Sequence, residues 1–393
     1  MKLRTVTKLT GALLAGVLLS LFTANTFAAN TAAGTTISNL ATVNYSVNGV
    51  AQSAVGSSST GNSSGAGTAT TFLVDDKLLL SLVTNDTADI NVTPGQTGAV
   101  LVFKVTNSGN ATQGVTFTTV NESNGVLGST AGAGFTGTDN FDATGVSVFV
   151  SKNNTATYVP ANDTASSIPQ LAAGASNFVF IVANIPAAQV DTDVAALALK
   201  AQVAAAGGSA TYGTAPGANI TTDDSGNAWT PGTQQNIFAD AAGLTGDGDA
   251  THDGIVSARD VYLVKSAKLT ITKTSSVVSD PTGDATPHAI PGAVIKYTIT
   301  VANAGTTAAT GITLADSIST QLTNITYVTN SITLTDPNVN SGNPLSCADA
   351  GSSGGSFGSD TCSYTSGTST VNALINSLTN GQTATITFNV TIN

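Results

Sequence analysis

The feature that most constrains this chain is a strand pattern that occurs twice. In residues 291–314, PGAVIKYTITVANAGTTAATGITL, apolar and polar side chains alternate before an Asn-Ala-Gly turn and a second alternating run. A period of two is typical of a β-strand with one buried and one solvated face. Residues 94–117, PGQTGAVLVFKVTNSGNATQGVTF, repeat this order. The alignment pairs Asn107 with Asn303, Gly109 with Gly305 and, after a one-residue slip, Gly114 with Gly311. The sequence therefore predicts a tandem of all-β modules.

Length and charge narrow the class of protein. A chain of 393 residues fits two domains with connecting segments. Charged residues make up 9% and apolar residues 41%, which favours sheets with polar outer faces and argues against global disorder. The formal net charge is −11, and the sequence has no basic patch to offset it. This charge argues against nucleic acid and anionic membranes as partners, but it is compatible with divalent cations.

The first 28 residues predict the compartment. Lys2, Arg4 and Lys8 precede an apolar run over residues 9–22, and small residues follow near Ala28. This is the pattern of a secretory signal peptide, and the run is short for a membrane span. We expect a mature chain that begins at about Ala29, is not inserted in a membrane, and is extracellular or at the cell surface.

Residues 29–76 predict an N-terminal strand or hairpin with a Gly/Ser-rich linker. Apolar residues alternate over residues 35–50, residues 53–68 are nearly all small and polar, and a short strand follows at residues 70–74. Two interpretations stay open: a hairpin that packs on its own chain, which we favour, or a strand that completes the sheet of a neighbouring molecule.

Two sandwiches and a spacer account for the rest. Residues 77–206 predict the first β-sandwich, in which residues 195–205 fit a closing strand better than a helix. Residues 207–266, rich in Asp and Gly, predict a polar inter-domain spacer. Residues 267–393 predict the second sandwich, with Leu269 and Ile271 on the inward face of its first strand. A Leu-x-x-Gly turn precedes a late strand in both sandwiches, at Leu171 and at Leu378, which supports the duplication.

A family resemblance supports this organisation. Three segments, AKLTITKTSSV, IPGAVIKYTITVANAGTTAATGITLADSI and LTNGQTATITFNVTI, resemble the repeat family called domain of unknown function eleven. The likeness is close over residues 267–393 and looser over 78–206. It implies tandem immunoglobulin-like β-sandwiches in a secreted or surface protein of bacteria or archaea. It supplies no catalytic residues.

Cys347 and Cys362 are the two cysteines of the chain. An even number of cysteines in an exported chain predicts a disulfide, here one that closes a Gly/Ser-rich loop. A redox or metal-binding pair is the alternative, but it lacks the short Cys-x-x-Cys spacing and supporting histidines.

One segment resembles a calcium loop. The ligand positions of an EF-hand, counted from the first aspartate, hold Asp249, Thr251, Asp253, Ile255, Ser257 and Asp260. Residues 258–267 would then form the exiting helix. Thr251 and the short Asp260 depart from the pattern, and a second loop is not evident. The alternative, an Asp-Gly turn in a polar spacer, is the interpretation we favour.

Catalysis is not indicated. The two histidines, His252 and His288, have neither a Gly-x-Ser-x-Gly nor a His-Glu-x-x-His context. A Lys–Asn isopeptide bond at Lys273, with Asp316 as the acid, is disfavoured because Asn389 has the outward parity of its strand. Lys273 is better explained as a lysine that extends to the sandwich end.

These patterns predict a secreted, non-enzymatic structural or adhesive protein of the cell surface or extracellular matrix. Its expected partners are other copies of itself or cell-surface components. A calcium-dependent binding module and a filament subunit that assembles by N-terminal strand donation are the two alternatives.

Overall fold

A computed structural model describes residues 31–126, 137–244, 246–353 and 357–393. The predicted leader, residues 1–28, lies outside these residues. Helical structure in the described part of the chain is limited to short 3-10 turns such as Ser319–Gln321 and Asn340–Gly342, so the all-β prediction is confirmed. The described residues divide into two compact units, one that includes residues up to 74 together with 231–234 and one that includes the rest.

The strands described in the first unit form one long antiparallel hairpin, the N-terminal hairpin of residues 36–73. Three strands on one side pair in nested order with three on the other: β1 with β6, β2 with β5, and β3 with β4. At the tip, Asn48 and Gly49 both have positive φ, as a two-residue hairpin turn requires. These residues therefore form a hairpin, and its packing on its own chain stays a prediction. Its strands are β1 (Thr36–Asn39), β2 (Thr42–Val43), β3 (Ser46–Val47), β4 (Val50–Ala51), β5 (Val55–Gly56) and β6 (Thr70–Leu73).

The second unit begins with the first sandwich. Its four-stranded sheet has the order β12-β14-β10-β8, and its five-stranded sheet has the order β13-β11-β15-β17-β9; β7 and β16 form a separate parallel pair. The strands are β7 (Asp76–Leu78), β8 (Leu80–Thr84), β9 (Ile90–Val92), β10 (Ala99–Asn107), β11 (Gln113–Asn121), β12 (Thr144–Val150), β13 (Ser167–Leu171), β14 (Ser176–Asn184), β15 (Val194–Ala204), β16 (Asn236–Phe238) and β17 (Ile255–Val264).

The second sandwich follows. One sheet has the order β18-β19-β27-β22-β23, with β21 also pairing with β27, and the other has the order β20-β26-β25-β24. The strands are β18 (Leu269–Ser279), β19 (Val294–Asn303), β20 (Ala309–Ser317), β21 (Ile325–Tyr327), β22 (Thr333–Thr335), β23 (Leu345–Ser346), β24 (Ser352–Ser353), β25 (Thr361–Thr365), β26 (Thr370–Leu378) and β27 (Thr383–Ile392).

Alternation in the central strands builds the two cores. Leu101, Phe103 and Val105 of β10 are buried, while the residues between them are partly exposed. Ile386 and Phe388 of β27 follow the same rule in the second sandwich. Because side chains on a strand alternate between faces, each of these runs supplies one apolar face to a separate core.

The two asparagines of the repeated motif establish which parts of the sandwiches are equivalent. The Asn107 side-chain amide donates to the carbonyls of Ala111 and Leu171, both at 2.8 Å. The Asn303 amide makes the same two bonds, to Thr307 at 2.7 Å and to Leu378 at 2.8 Å. Each asparagine therefore ties the turn after its strand to the carbonyl at the end of a distant strand. By this equivalence β10 corresponds to β19, β11 to β20, and β13 to β26.

The prediction that residues 207–266 form a polar inter-domain spacer is wrong. Within residues 207–266, β17 pairs with β15 over nine residue pairs inside the five-stranded sheet, and β16 pairs with β7. Val261, Tyr262 and Val264 are fully buried. The local Asp/Gly richness belongs to the turns that lead into β17. This segment is thus part of the first sandwich, which extends beyond residue 206.

Candidate interaction site

The predicted calcium loop is not assembled. Asp249 accepts hydrogen bonds from the Gly243 N–H at 3.0 Å and the Ser257 hydroxyl at 2.6 Å. Asp253 accepts from the N–H groups of Ala250 and Ile255, at 2.8 and 2.9 Å. Both carboxylates therefore hold the turn together. Among the described residues, no group of three or more His, Cys, Asp or Glu side chains is arranged to hold a metal ion.

The last predicted ligand, Asp260, lies in a strand and not in an exiting helix. It belongs to β17 and is fully buried between the sheets, where it accepts a hydrogen bond from the Thr84 hydroxyl at 2.5 Å. Thr251, in contrast, is exposed in the turn. The helix expected at residues 258–267 fails because alternating core residues favour a strand there. The exiting helix of the calcium hypothesis is therefore wrong, whereas the hydrogen bonds of Asp249 and Asp253 agree with the favoured Asp-Gly turn, and calcium binding by the six residues stays a prediction.

The disulfide prediction is confirmed. Cys347 and Cys362 are bonded, with a Cα–Cα distance of 5.8 Å, and both are buried in the second core. The bond joins the segment after β23 to β25. It therefore fixes the edge of the second sandwich opposite to β20.

The first strand of each sandwich shows a contrast in exposure. In β8, Leu80 pairs with Asn107, and the equivalent residue of β18, Leu269, pairs with Asn303. Leu80 is 3% exposed, whereas Leu269 is 45% exposed. One step further along the strands, Leu82 is 8% exposed and its equivalent Ile271 is 65% exposed. The two residues predicted to face a core in β18 are thus open to solvent.

The facing sheets explain the contrast. In the first sandwich, β15 and β17 lie across from β8 and cover its leucines. Both strands extend the sheet beyond β11, which pairs with β13 on one side and with β15 on the other. In the second sandwich, β20 pairs with β26, the equivalent of β13, and within the described residues no strand pairs with its other edge. The positions that β15 and β17 occupy in the first sandwich are open in the second.

The result is an apolar cleft of about 330 Å³, which we call the open cleft. Its lining residues are Leu269, Ile271, Val301, Ile312, Thr313, Leu314 and Ala315. None of them is charged. At one end, Lys273 forms a salt bridge to Asp316 at 2.6 Å and lies over the Tyr297 ring. This ion pair spans from β18 to β20, and Lys273 lies in the middle of its strand, where it pairs with Ile299.

The open cleft combines two binding features. The free edge of β20 presents unpaired backbone groups along a nine-residue strand. Beside it lie apolar side chains that would gain from losing contact with water. A strand added at an exposed edge uses both features: the backbone supplies hydrogen bonds, and alternate side chains enter the cleft. The site can therefore bind an extended peptide segment without any covalent chemistry.

The sequence alone did not reveal this cleft. Period-two alternation identifies the inward face of β18, but it does not report whether another strand covers that face. A strand that covers such a face can come from far along the chain, as β17 does for β8, and local alternation carries no signal for it.

Solved structures resemble the chain only distantly. A chaperone–tip adhesin complex of CFA/I fimbriae is 9% identical, with 77% of this chain and 86% of that chain covered and a TM-score of 0.23. A protein from Corynebacterium diphtheriae described as membrane anchored is 10% identical, with coverages of 91% and 89% and a TM-score of 0.19. The CupB6 tip adhesin from Pseudomonas aeruginosa is 9% identical, with coverages of 80% and 88% and a TM-score of 0.20. No conclusion about function is drawn at these TM-scores.

No family model matches the sequence, and no curated protein matches it. The resemblance to the domain of unknown function eleven family therefore stays a prediction. In the described residues, no helix is both long enough and apolar enough to cross a bilayer.

Proposed function

We propose that this chain is a non-enzymatic structural or adhesive protein of the cell surface or extracellular matrix, and that it works by accepting a β-strand in the open cleft. The observation that carries the proposal is the exposure of Ile271, whose equivalent Leu82 is buried under β17 in the same chain. A sandwich that leaves an apolar core face and a sheet edge open together has a built surface for strand addition.

Three features support the extracellular setting. The disulfide of Cys347 and Cys362 suits an oxidising compartment. The low charged fraction of 9% leaves hydroxyl and amide side chains to solvate the sheets, as in the stable sandwiches of surface proteins. The N-terminal sequence has the composition of an export signal.

A peptide-binding experiment tests the mechanism. The probe is a synthetic peptide with the sequence of residues 194–204, VAALALKAQVA, because this strand occupies the equivalent position in the first sandwich. We expect it to bind the full chain and to raise the melting temperature of the second sandwich. Ile271→Asp should weaken binding at least tenfold, because a charge would then be buried in the cleft.

The matched control is Val278→Asp. Val278 lies in the same strand and is 51% exposed, but it does not line the cleft, so its variant should bind the peptide like wild type. Failure of the wild-type chain to bind, or equal loss in both variants, would overturn the cleft as a strand acceptor. A protease that cannot cross membranes tests the setting. It should degrade the protein on intact producing cells, and full protection until lysis would overturn a surface role.

A further inference from the structure

We infer that the strand accepted by the open cleft is the N-terminal hairpin of a second copy of this chain, which makes the protein a head-to-tail assembling subunit. The inference rests on the proposed function, since it names the partner of that same cleft.

The open place beside β20 has room for two antiparallel strands, which is the size of the N-terminal hairpin. In the first sandwich two antiparallel strands, β15 and β17, fill the place next to β11. The N-terminal hairpin also has two antiparallel sides, and its first side spans β1 to β3, residues 36–47. β15 pairs with β11 over eight residue pairs, and a twelve-residue side is long enough to reproduce such a ladder along β20.

The exposed surface of the hairpin shows that it needs a partner. Apolar residues at alternate positions of its first side are open to solvent, including Val43 at 61% and Tyr45 and Val47 at about half. Within the described residues, no strand pairs with the outer edge of β1, β2 or β3. Two-stranded hairpins are marginally stable in water unless a third strand or another apolar layer covers one face. The hairpin thus has a free edge and an unburied apolar face, as the cleft does.

Electrostatic repulsion between two copies of the chain restricts which of their surfaces can bind each other. The chain carries a net charge of −11, so most of its surface repels a second copy. Residues 31–74 contain no Asp, Glu, Lys, Arg or His, and the residues that line the open cleft are also uncharged. Approach of hairpin to cleft is therefore the contact with the least electrostatic cost. The uncharged faces also avoid burying an unpaired ion.

The two surfaces are different parts of the chain, which determines the type of assembly. A contact between unlike patches is heterologous and leaves one free hairpin and one free cleft in every dimer. Growth therefore continues into rings or filaments until a subunit lacks one of the two surfaces.

A complementation experiment tests this arrangement with full-length mature chains. Val43→Asp disables the hairpin, and Ile271→Asp disables the cleft. Thr42→Asp and Val278→Asp are the controls, on the opposite face of the hairpin and outside the cleft.

In sedimentation velocity and electron microscopy, wild type and both controls should form oligomers or filaments. Each disabling variant alone should lose at least tenfold in assembled fraction. Their equal mixture should form discrete dimers, because one intact hairpin meets one intact cleft.

Three results would overturn the inference. Unchanged assembly of Val43→Asp would show that the hairpin is not the donor. A mixture that stays monomeric would show that the cleft and the hairpin do not bind each other. A monomeric wild type whose β20 is protected from hydrogen exchange would show that the hairpin fills the cleft of its own chain. If the peptide VAALALKAQVA still binds in these cases, the strand-accepting function stands and its partner is a different molecule.

Discussion

Replacement of Asp260 by asparagine should stabilise the first sandwich at alkaline pH and remove most of its pH dependence. Burial raises the pKa of Asp260 from 3.8 to about 8; the Thr84 hydrogen bond opposes this rise, and the facing carboxyl of Asp86 adds to it. The folded protein therefore keeps this carboxyl neutral in the neutral range of pH, whereas the unfolded chain ionises it. The asparagine side chain has the same shape but does not ionise, so the Asp260→Asn variant has no such difference in ionisation between the folded and unfolded states.

The direction and the size of the pH effect on folding stability follow from the difference in the pKa of Asp260 between the folded and unfolded states. For an acid whose folded pKa is raised, folding stability is highest below the unfolded pKa, falls as pH rises from about 4 to about 8, and is level above. A shift of about four pKa units at 1.36 kcal/mol per unit corresponds to about 5 to 6 kcal/mol. Wild type should lose up to this amount between pH 4 and pH 8.5, and most of the loss should be absent in Asp260→Asn.

The assay must report the first sandwich alone, because the chain has two. Urea unfolding at pH 5 and at pH 8.5, followed by a short hydrogen-exchange pulse at one fixed labelling pH, reads peptides from β15 and β17. Asp163→Asn is the control. The Asp163 carboxylate accepts two backbone hydrogen bonds, from Lys152 at 2.8 Å and Val159 at 2.7 Å, so its variant should be destabilised at both pH values. Parallel loss of stability with pH in wild type and Asp260→Asn would refute the reasoning.

Four further outcomes are expected. Asn303→Ala should lower the unfolding free energy of the second sandwich by about 3 kcal/mol, because one buried and one part-buried carbonyl lose their donor, whereas Asn380→Ala, which removes one part-buried bond, should cost less than about 1 kcal/mol. Cys347→Ser should cost about 3 kcal/mol in the same sandwich, and reductant should destabilise wild type but not the variant. Arg259→Gln should destabilise the first sandwich by about 3 to 5 kcal/mol in urea unfolding, because it leaves the buried Glu122 carboxylate, 2.6 Å away in wild type, without its ion partner. Calcium and chelator should leave the melting temperature unchanged while Asp253→Ala lowers it, since that carboxylate already binds two backbone N–H groups; a calcium-dependent shift lost in the variant would contradict this.

Much of the fold could be predicted from the sequence, because the local pattern of apolar residues agrees with the burial of those residues in the structure. Central strands such as β10 and β27 have one buried face along their whole length, so their alternation predicts them directly. β17 was missed for a physical reason. Arg259 and Asp260 look like solvated residues in the sequence, but their partners, Glu122 and Thr84, lie more than a hundred residues earlier. A local window cannot show that such charges are paired and buried.

The candidate site could not be predicted from the sequence, because a local pattern does not show which faces of a strand stay uncovered. The pattern at Leu269 and Ile271 predicts a buried face, but both side chains are exposed, because the described residues supply no strand to cover them. Local alternation describes what a strand can bury, and topology decides whether anything is present to bury it.

The two sandwiches share an asparagine-centred framework, and they differ in what lies beside the strand that follows it. In the first, β15 and β17 close the sheet and bury β8, so the module is complete by itself. In the second, the same framework holds β18 and β20 in position with the edge of β20 open. Asn303 bonds to Lys268 and Thr307, which lead into β18 and β20, and the Lys273–Asp316 ion pair joins the two strands, so less ordering would be needed when a guest strand binds. Within the described residues, the second sandwich therefore leaves open the place beside β20 that β15 and β17 fill beside β11 in the first.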